Sequence, residues 1–234
     1  MNNIKQSELL YDHNVEKSSC GVGFITKKDS KQTHDLLIKA HEALCSVPHR
    51  GGMSSEGIGD GAGISIDLSV DFFSKITNKT LKFGEFVVGN FFIPKNTANK
   101  VIANNLIIKT LENSGFTLIK SRDVPVNKSV LNKISKSSQL LIKQFIFSIQ
   151  NINDKNIDKA IYQCLLDIEA VAFNDKKLDE LYPLSLSRKL QVLKGRLKSN
   201  EIIPYFKDLN NKSHKIFSLY FHTRFSTNTE PHPF

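Results

Sequence analysis

The sequence predicts an α+β fold in which layers of antiparallel sheet pack against helices. Three observations carry that prediction. Short apolar segments, alternating or continuous, are bounded by turn residues, as strands are. Longer segments repeat their apolar residues at helical spacing. The two kinds are mixed without the strict strand–helix alternation of a parallel α/β sheet.

Residues 1–19 are polar and weakly patterned, as a tail or a removable leader would be. Residues 21–25 form a short buried strand. From Leu36 the apolar residues Leu36, Leu37, Ala40, Ala43, Leu44 and Val47 make a helical stripe that Pro48 ends. The stretch from Gly51 to Gly63 then holds six of the twelve glycines. It leads into residues 64–68, where Ile64, Ile66 and Leu68 alternate as on a half-buried strand. Residues 86–93 form a further strand, 97–113 a helix stopped near Gly115, and 116–119 a strand again. After a polar loop around Val124-Pro125, residues 140–149 are an apolar run suited to a core strand. Residues 156–172 form an amphipathic helix with Ile157, Ala160, Ile161, Cys164, Leu165 and Ile168 on one face. Strands over 185–193 and 216–225 flank a short helix near 200–208. There is no internal repeat, low-complexity tract or interdomain linker.

A chain of 234 residues with 40% hydrophobic and 24% charged residues has the composition of a globular protein able to build a core. The net charge of +9 raises the question of nucleic acid. The lysines, however, are scattered singly or in pairs such as Lys27-Lys28 and Lys176-Lys177, without a basic run or interleaved aromatics. They describe a solvated lysine-rich surface, and no nucleic-acid partner is expected. Three cysteines, Cys20, Cys45 and Cys164, are an odd number with no C-x-x-C pair, which argues against disulfides and zinc and for a reducing compartment. The seven histidines lack metal-ligand spacing, so no metal site is expected. The first 19 residues have no apolar signal core and carry Glu8, Asp12 and Glu16 with no arginine, unlike a transit peptide. The longest apolar runs are too short to span a bilayer. A soluble, cytoplasmic protein with no membrane partner is expected.

Cys20 is followed by Gly-Val-Gly. A thiol with an ordinary pKa of about 8.5 is only a few per cent ionised at neutral pH and needs a base to act as a nucleophile. No histidine is close in sequence. An α-amino group, with a pKa of about 7.7–8.0, would serve, and Cys20 owns one only if residues 1–19 are removed. Gly21 and Gly23 would then let the backbone approach a substrate. Taken alone, the pattern favours a buried, inert cysteine at a strand start.

Further blocks change that balance. The run Leu10-Tyr11-Asp12, then Glu16-Lys17-Ser18-Ser19-Cys20-Gly21-Val22-Gly23-Phe24-Ile25, resembles the start of the glutamate synthase large subunit, a family in which a short leader is cut to expose an N-terminal cysteine. His49-Arg50-Gly51-Gly52 and Gly59-Asp60-Gly61-Ala62-Gly63-Ile64 resemble that family's next two blocks. Val87-Val88-Gly89, Arg122-Asp123-Val124-Pro125-Val126, and Leu184-Ser185-Leu186-Ser187 before Lys194-Gly195 follow in order. Phe221-His222-Thr223-Arg224-Phe225-Ser226-Thr227-Asn228-Thr229 is the most specific block of all.

The resemblance implies a class II glutamine amidotransferase domain over residues 20–234 behind a leader of residues 1–19. The implied fold is the four-layer αββα sandwich of N-terminal-nucleophile hydrolases. Cys20 would attack the side-chain amide of glutamine, its own α-amine taking the thiol proton, and water would hydrolyse the thioester to glutamate. A planar guanidinium suits the α-carboxylate of glutamine, and Arg224 matches the family's carboxylate-binding arginine, with Thr227 close by. Arg50 matches an arginine beside the nucleophile, although a purely structural tie to its loop also fits. Gly59–Gly63 lacks the features of a P-loop or dinucleotide fingerprint, and tight backbone packing beside the active site fits it better. In the family the ammonia passes to a separate synthase domain, of the same or a companion chain, where 2-oxoglutarate becomes glutamate. FMN and an iron–sulfur cluster belong to those regions, and no cofactor is assigned to this segment.

The chain departs from the family beyond the arginine block. The family's oxyanion donors come from an Asn-Gly pair beyond the arginine block, and this chain has no Asn-Gly dipeptide. The acidic residue for the α-ammonium and the last strands of the sheet also lie further on. The expectation is therefore a C-terminally incomplete domain with an exposed sheet edge and little glutaminase activity of its own. Two alternatives stand beside the enzyme: an inactive truncated remnant, and a non-catalytic amino-acid-binding module.

Overall fold

The computed structural model describes residues 21–48, 51, 57–150 and 152–223. Its strands are β1 (Gly21–Thr26), β2 (Ala62–Asp67), β3 (Phe86–Ile93), β4 (Phe116–Asp123), β5 (Leu141–Ile149), β6 (Tyr182–Ser187), β7 (Leu190–Gly195) and β8 (Ser218–Thr223). The helices are α1 (Asp35–Ser46), α2 (Val70–Thr77), α3 (Thr97–Asn113), α4 (Lys133–Ser138), α5 (Asp154–Asn174) and α6 (Ile202–Tyr205). The strands make two four-stranded sheets, β1-β8-β2-β7 and β4-β5-β3-β6, with every pairing antiparallel. The expected α+β class with antiparallel sheets is the observed one.

The alternation read from the sequence decides which face each strand buries. Ala62, Ile64 and Ile66 of β2 join Leu193 of β7 and Leu219 and Phe221 of β8 in one core. Leu36, Leu37, Ala40 and Leu44 of α1 and Ile202 and Ile203 of α6 complete it. On the opposite face of this sheet Val22 is 71%, Phe24 68% and Tyr220 58% exposed. In the second sheet Val87, Phe91, Phe145 and Phe147 pack on Ala103, Ile107 and Leu111 of α3 and on Ile157, Ile161, Cys164 and Ile168 of α5. Its other face sets Phe86, Val88 and Ile146 against Leu68 and against Phe72 and Phe73 of α2. β3 lies between β5 and β6 with both faces covered, and all eight of its residues are buried. That is why residues 86–93 read as continuous rather than alternating apolar sequence.

A polar layer joins the two sheets. Gln144 Nε2 donates to Asn90 Oδ1 at 2.9 Å and to Gln191 Oε1 at 3.1 Å, tying β5 and β3 to β7. Arg122 donates from Nε and Nη2 to Gln144 Oε1 at 2.9 and 2.6 Å and pairs with Asp208. The Arg122-Asp123-Val124-Pro125 block thus fastens the end of β4 to the segment after α6.

Two elements differ from the sequence reading. The single strand expected over 185–193 is two strands, β6 in the second sheet and β7 in the first, and the chain crosses between the sheets in a turn at Arg188-Lys189. No glycine, proline or asparagine marks this turn. Ser187 Oγ holds it instead, accepting from the Lys189 and Leu190 amides at 3.0 and 3.3 Å. Arg188 then clasps both carboxylate oxygens of Asp158 on α5, at 2.9 Å each. The second difference is α2, too short for a helical period to show, whose two adjacent phenylalanines are both buried.

Candidate active site

One end of the first sheet collects distant parts of the chain. Gly21 opens β1 opposite Thr223, the last described residue of β8, and Thr223 also faces Ala62, which in turn faces Gly195 at the end of β7. Gly51 approaches the same point, because a Cβ placed on it would lie 2.7 Å from Thr223 Oγ1. The Gly51 amide donates to Pro48 O at 3.1 Å, which turns the chain out of the α1 region.

Gly51 and Thr223 line a cleft of ≈ 260 Å³ together with Pro48, Leu197, Lys198, Ser199 and Asn200. The 197–200 wall is held on two sides. Glu201 Oε2 accepts from the Lys198 amide at 2.8 Å, capping the 3-10 turn Ser199–Glu201. Beneath it, a Cβ on Gly59 would meet Leu197 C and O at 2.4 Å and Lys198 N at 2.6 Å. The glycine-dense segment is therefore a backbone packing surface, as the sequence reading holds. Gly23 has a different use from the one expected. A Cβ there would lie 2.3 Å from Phe221 Cζ, so it makes room for that ring rather than opening the backbone to a substrate.

The polar atoms of the cleft are unusual. Ser199 and Thr223 are each 1% exposed, and neither Ser199 Oγ nor Thr223 Oγ1 has a hydrogen-bond partner among the described residues. Next to Thr223 along β8, burial pushes the His222 imidazole below its usual pKa. Outside this cleft, burial likewise depresses the Lys194 ammonium, which sits 4.7 Å from the Tyr182 ring centre.

The four residues singled out from the sequence, Cys20, Arg50, Arg224 and Thr227, lie outside the described residues. Their covalent neighbours Gly21, Gly51 and Thr223 are described: Gly51 and Thr223 line the cleft, and Gly21 pairs with Thr223. Neither described cysteine lines it. Cys164 is buried on α5, where desolvation raises its thiol pKa, and Cys45 is exposed on α1 with His41 Nε2 at 3.7 Å. Sequence reasoning did not single out Ser199 and Thr223, which line the cleft. A lone serine ahead of a short helix and a threonine inside a strand block carry no mark of burial or of an unmet hydrogen bond. Among the described residues no group of three or more His, Cys, Asp or Glu could hold a metal ion, and no helix is long and apolar enough to cross a membrane.

The ferredoxin-dependent glutamate synthase of Antithamnion sp. is 34% identical over 239 residues, covering 92% of this chain. The chloroplastic ferredoxin-dependent enzyme of Spinacia oleracea is 32% identical, covering 95%. Glutamate synthase [NADH] of Saccharomyces cerevisiae is 31% identical, covering 98%. This chain spans 15%, 14% and 11% of those three proteins respectively. The family model for class-II glutamine amidotransferases matches residues 20–233, beginning at Cys20 itself. With a match over nearly the whole sequence, the chain belongs to the class-II glutamine amidotransferases.

Proposed function

We propose that the chain is the glutamine-hydrolysing domain of a glutamate synthase and that Cys20 is its nucleophile. The observation that carries this reading is the convergence on Thr223: Gly21 pairs with it across the strands, and Gly51 lines one cleft with it. Each is bonded to a residue with a role in the chemistry: Gly21 to Cys20, Gly51 to Arg50 and Thr223 to Arg224.

In this reading, removal of residues 1–19 leaves Cys20 with a free α-amine that accepts the thiol proton. The sulfur adds to the side-chain amide carbon of glutamine. The carbon–nitrogen bond breaks, and the amine returns the proton to the departing ammonia. Water then cleaves the thioester, giving glutamate and the free thiol. Arg224 takes the substrate α-carboxylate in a two-point contact with Thr227 beside it, and Arg50 places positive charge near the sulfur. The ammonia goes to a synthase region, of the same or a companion polypeptide, that converts 2-oxoglutarate to glutamate and carries the FMN and iron–sulfur chemistry. The complete domain is a four-layer αββα sandwich. Two antiparallel sheets and the α3–α5 layer on the second of them support that architecture. A cytoplasmic setting and the lack of a nucleic-acid partner follow from the cysteine usage and the scattered lysines.

Alkylation by 6-diazo-5-oxo-norleucine, an electrophilic glutamine mimic, tests the assignment. Peptide mapping is expected to find the adduct on Cys20, in a chain whose first residue is Cys20, and to find none in Cys20→Ala. Labelling of Cys45 or Cys164, or an intact mass that retains residues 1–19 on the labelled protein, would overturn it.

A further inference from the structure

We infer that the bare outer face of the first sheet is a homodimer interface, occupied by the same face of a second copy of this chain. The inference goes beyond the glutaminase reading and does not rest on it.

An antiparallel sheet with one face in water turns polar residues outward. The first sheet does not. β1 points Val22 and Phe24 out to solvent and keeps Gly21 and Gly23 inward. The strand register carries this pattern across the sheet in two rows. Phe24 lies opposite Tyr220, Tyr220 opposite Ser65, and Ser65 opposite Val192. Val22, His222, Gly63 and Lys194 make the next row.

Charge is nearly absent from these rows. Burial lowers the pKa of His222, which keeps the imidazole neutral at pH 7. The ammonium of Lys194 is drawn to the Tyr182 ring of the second sheet, 4.7 Å from its centre. Two copies of a chain with net charge +9 repel each other at long range. The contact that overcomes this repulsion has to be apolar and almost uncharged, as interface centres are.

The relief of the face fits itself. Phe24 and Tyr220 stack with ring centres 5.9 Å apart and form a ridge over β1 and β8. Beside the ridge, the small residues Gly63 and Ser65 of β2 leave a groove of ≈ 310 Å³ whose walls include Tyr220 and Val192. A second groove of ≈ 220 Å³ shares Ser65 and Tyr220 with the first and continues to Phe83 and Leu190. A two-fold axis that sets the ridge of one copy in the groove of the other makes the same contact twice, as an isologous interface requires. An unrelated partner would need a matching ridge and groove of its own, and a second copy already has both.

The area is also of the right order. With about 200 Å² for a whole aromatic side chain, Phe24, Tyr220 and Phe83 at 68, 58 and 42% exposure leave roughly 350 Å² open. That is close to half of the roughly 800 Å² each partner gives to a standard interface, before Val22, Leu190 and the groove walls are added.

Sedimentation equilibrium of the full chain at pH 7.5 tests the inference. A monomer–dimer equilibrium with a Kd on the order of 10 µM is expected. Phe24→Lys and Tyr220→Lys are each expected to weaken it about a hundredfold, because a two-fold interface carries every substitution twice. Phe24→Thr and Tyr220→Thr, which suit a strand and add no charge, are expected to weaken it about tenfold and guard against a folding defect. Phe173→Ser removes an aromatic that is 91% exposed on α5 and is expected to leave the dimer unchanged. A dimer that survives all four sheet variants would overturn the inference, and so would a monomeric wild type. In the second case, flotation with phosphatidylcholine vesicles would assign the face to lipid, and failure to float would leave it to a different polypeptide.

Discussion

Glycine serves two different physical purposes in this chain, and they can be separated at single residues. Gly59 is confined by its neighbours: an added Cβ would sit 2.4 Å from the Leu197 carbonyl carbon and oxygen, and backbone atoms of a packed turn cannot step aside cheaply. Gly84 has nothing within 4 Å of an added Cβ but holds φ at +82°, a conformation side chains disfavour. Gly59→Ala is therefore expected to cost about 3 kcal/mol by overpacking. Gly84→Ala should cost about 1 kcal/mol through backbone strain alone. Urea unfolding of both variants checks the ordering.

Among the elements, the junction of β2 and β8 depends on one side chain. Asp67 ends β2 and its Oδ1 accepts from the Phe217 and Ser218 amides at 2.9 and 2.7 Å, while Oδ2 accepts from Gln32 Nε2 at 2.6 Å. Burial raises its pKa even though these three donors oppose the shift. The carboxylate fixes where β8 starts, and so sets the register that places Thr223 opposite Gly21 and Ala62. Asp67→Ala leaves two backbone donors without a partner and is expected to cost about 3 kcal/mol. Its denaturation midpoint measures this. A loss below about 0.5 kcal/mol, the size of an ordinary surface change, would show that strand pairing alone sets the register.

At the scale of the whole molecule, the packed interior has a histidine that must stay neutral. His214 is 1% exposed, stacks on Phe72 with ring centres 4.5 Å apart, and lies 3.2 Å from Asp208 O through Nδ1. Burial, with smaller contributions from Arg122 and His34, pushes its pKa from 6.5 to about 3. The unfolded chain binds this proton below pH 6.5 and the folded chain does not. Above pH 6.5 the group has no effect on stability. Below it, stability falls as acid is added, down to about pH 3. By pH 5 the loss is expected to reach about 2 kcal/mol, at roughly 1.4 kcal/mol per pH unit. His222, depressed in the same direction, adds to it. Urea unfolding at pH 7.5 and pH 5 measures the difference, and His214→Gln is expected to remove most of it while lowering stability at both pH values.

The elements were legible wherever the chain carried enough period or a strong stop. The helix over 97–113 and the strand over 86–93 have the boundaries expected of them, because Gly115 and Pro94 border long, well-patterned segments. The β6–β7 crossover between the sheets and α2 were not legible, since a serine-held turn and an eight-residue helix leave no period to read. The site divided in the same way. The ordered blocks around Cys20, Arg50 and Arg224 could be read from the sequence, because a nucleophile and a carboxylate fork require particular residue types. Ser199 and Thr223 could not, because a hydroxyl's burial and its unmet hydrogen bond are properties of surroundings, not of residue type.

The sequence by itself determined the family and the mixed antiparallel architecture, since both rest on local chemistry and local period. Only the tertiary structure decided that Gly21 pairs with Thr223 and that Gly51 and Thr223 line one cleft. Those facts follow from strand pairing and glycine packing between segments far apart in the chain, where no local pattern reaches.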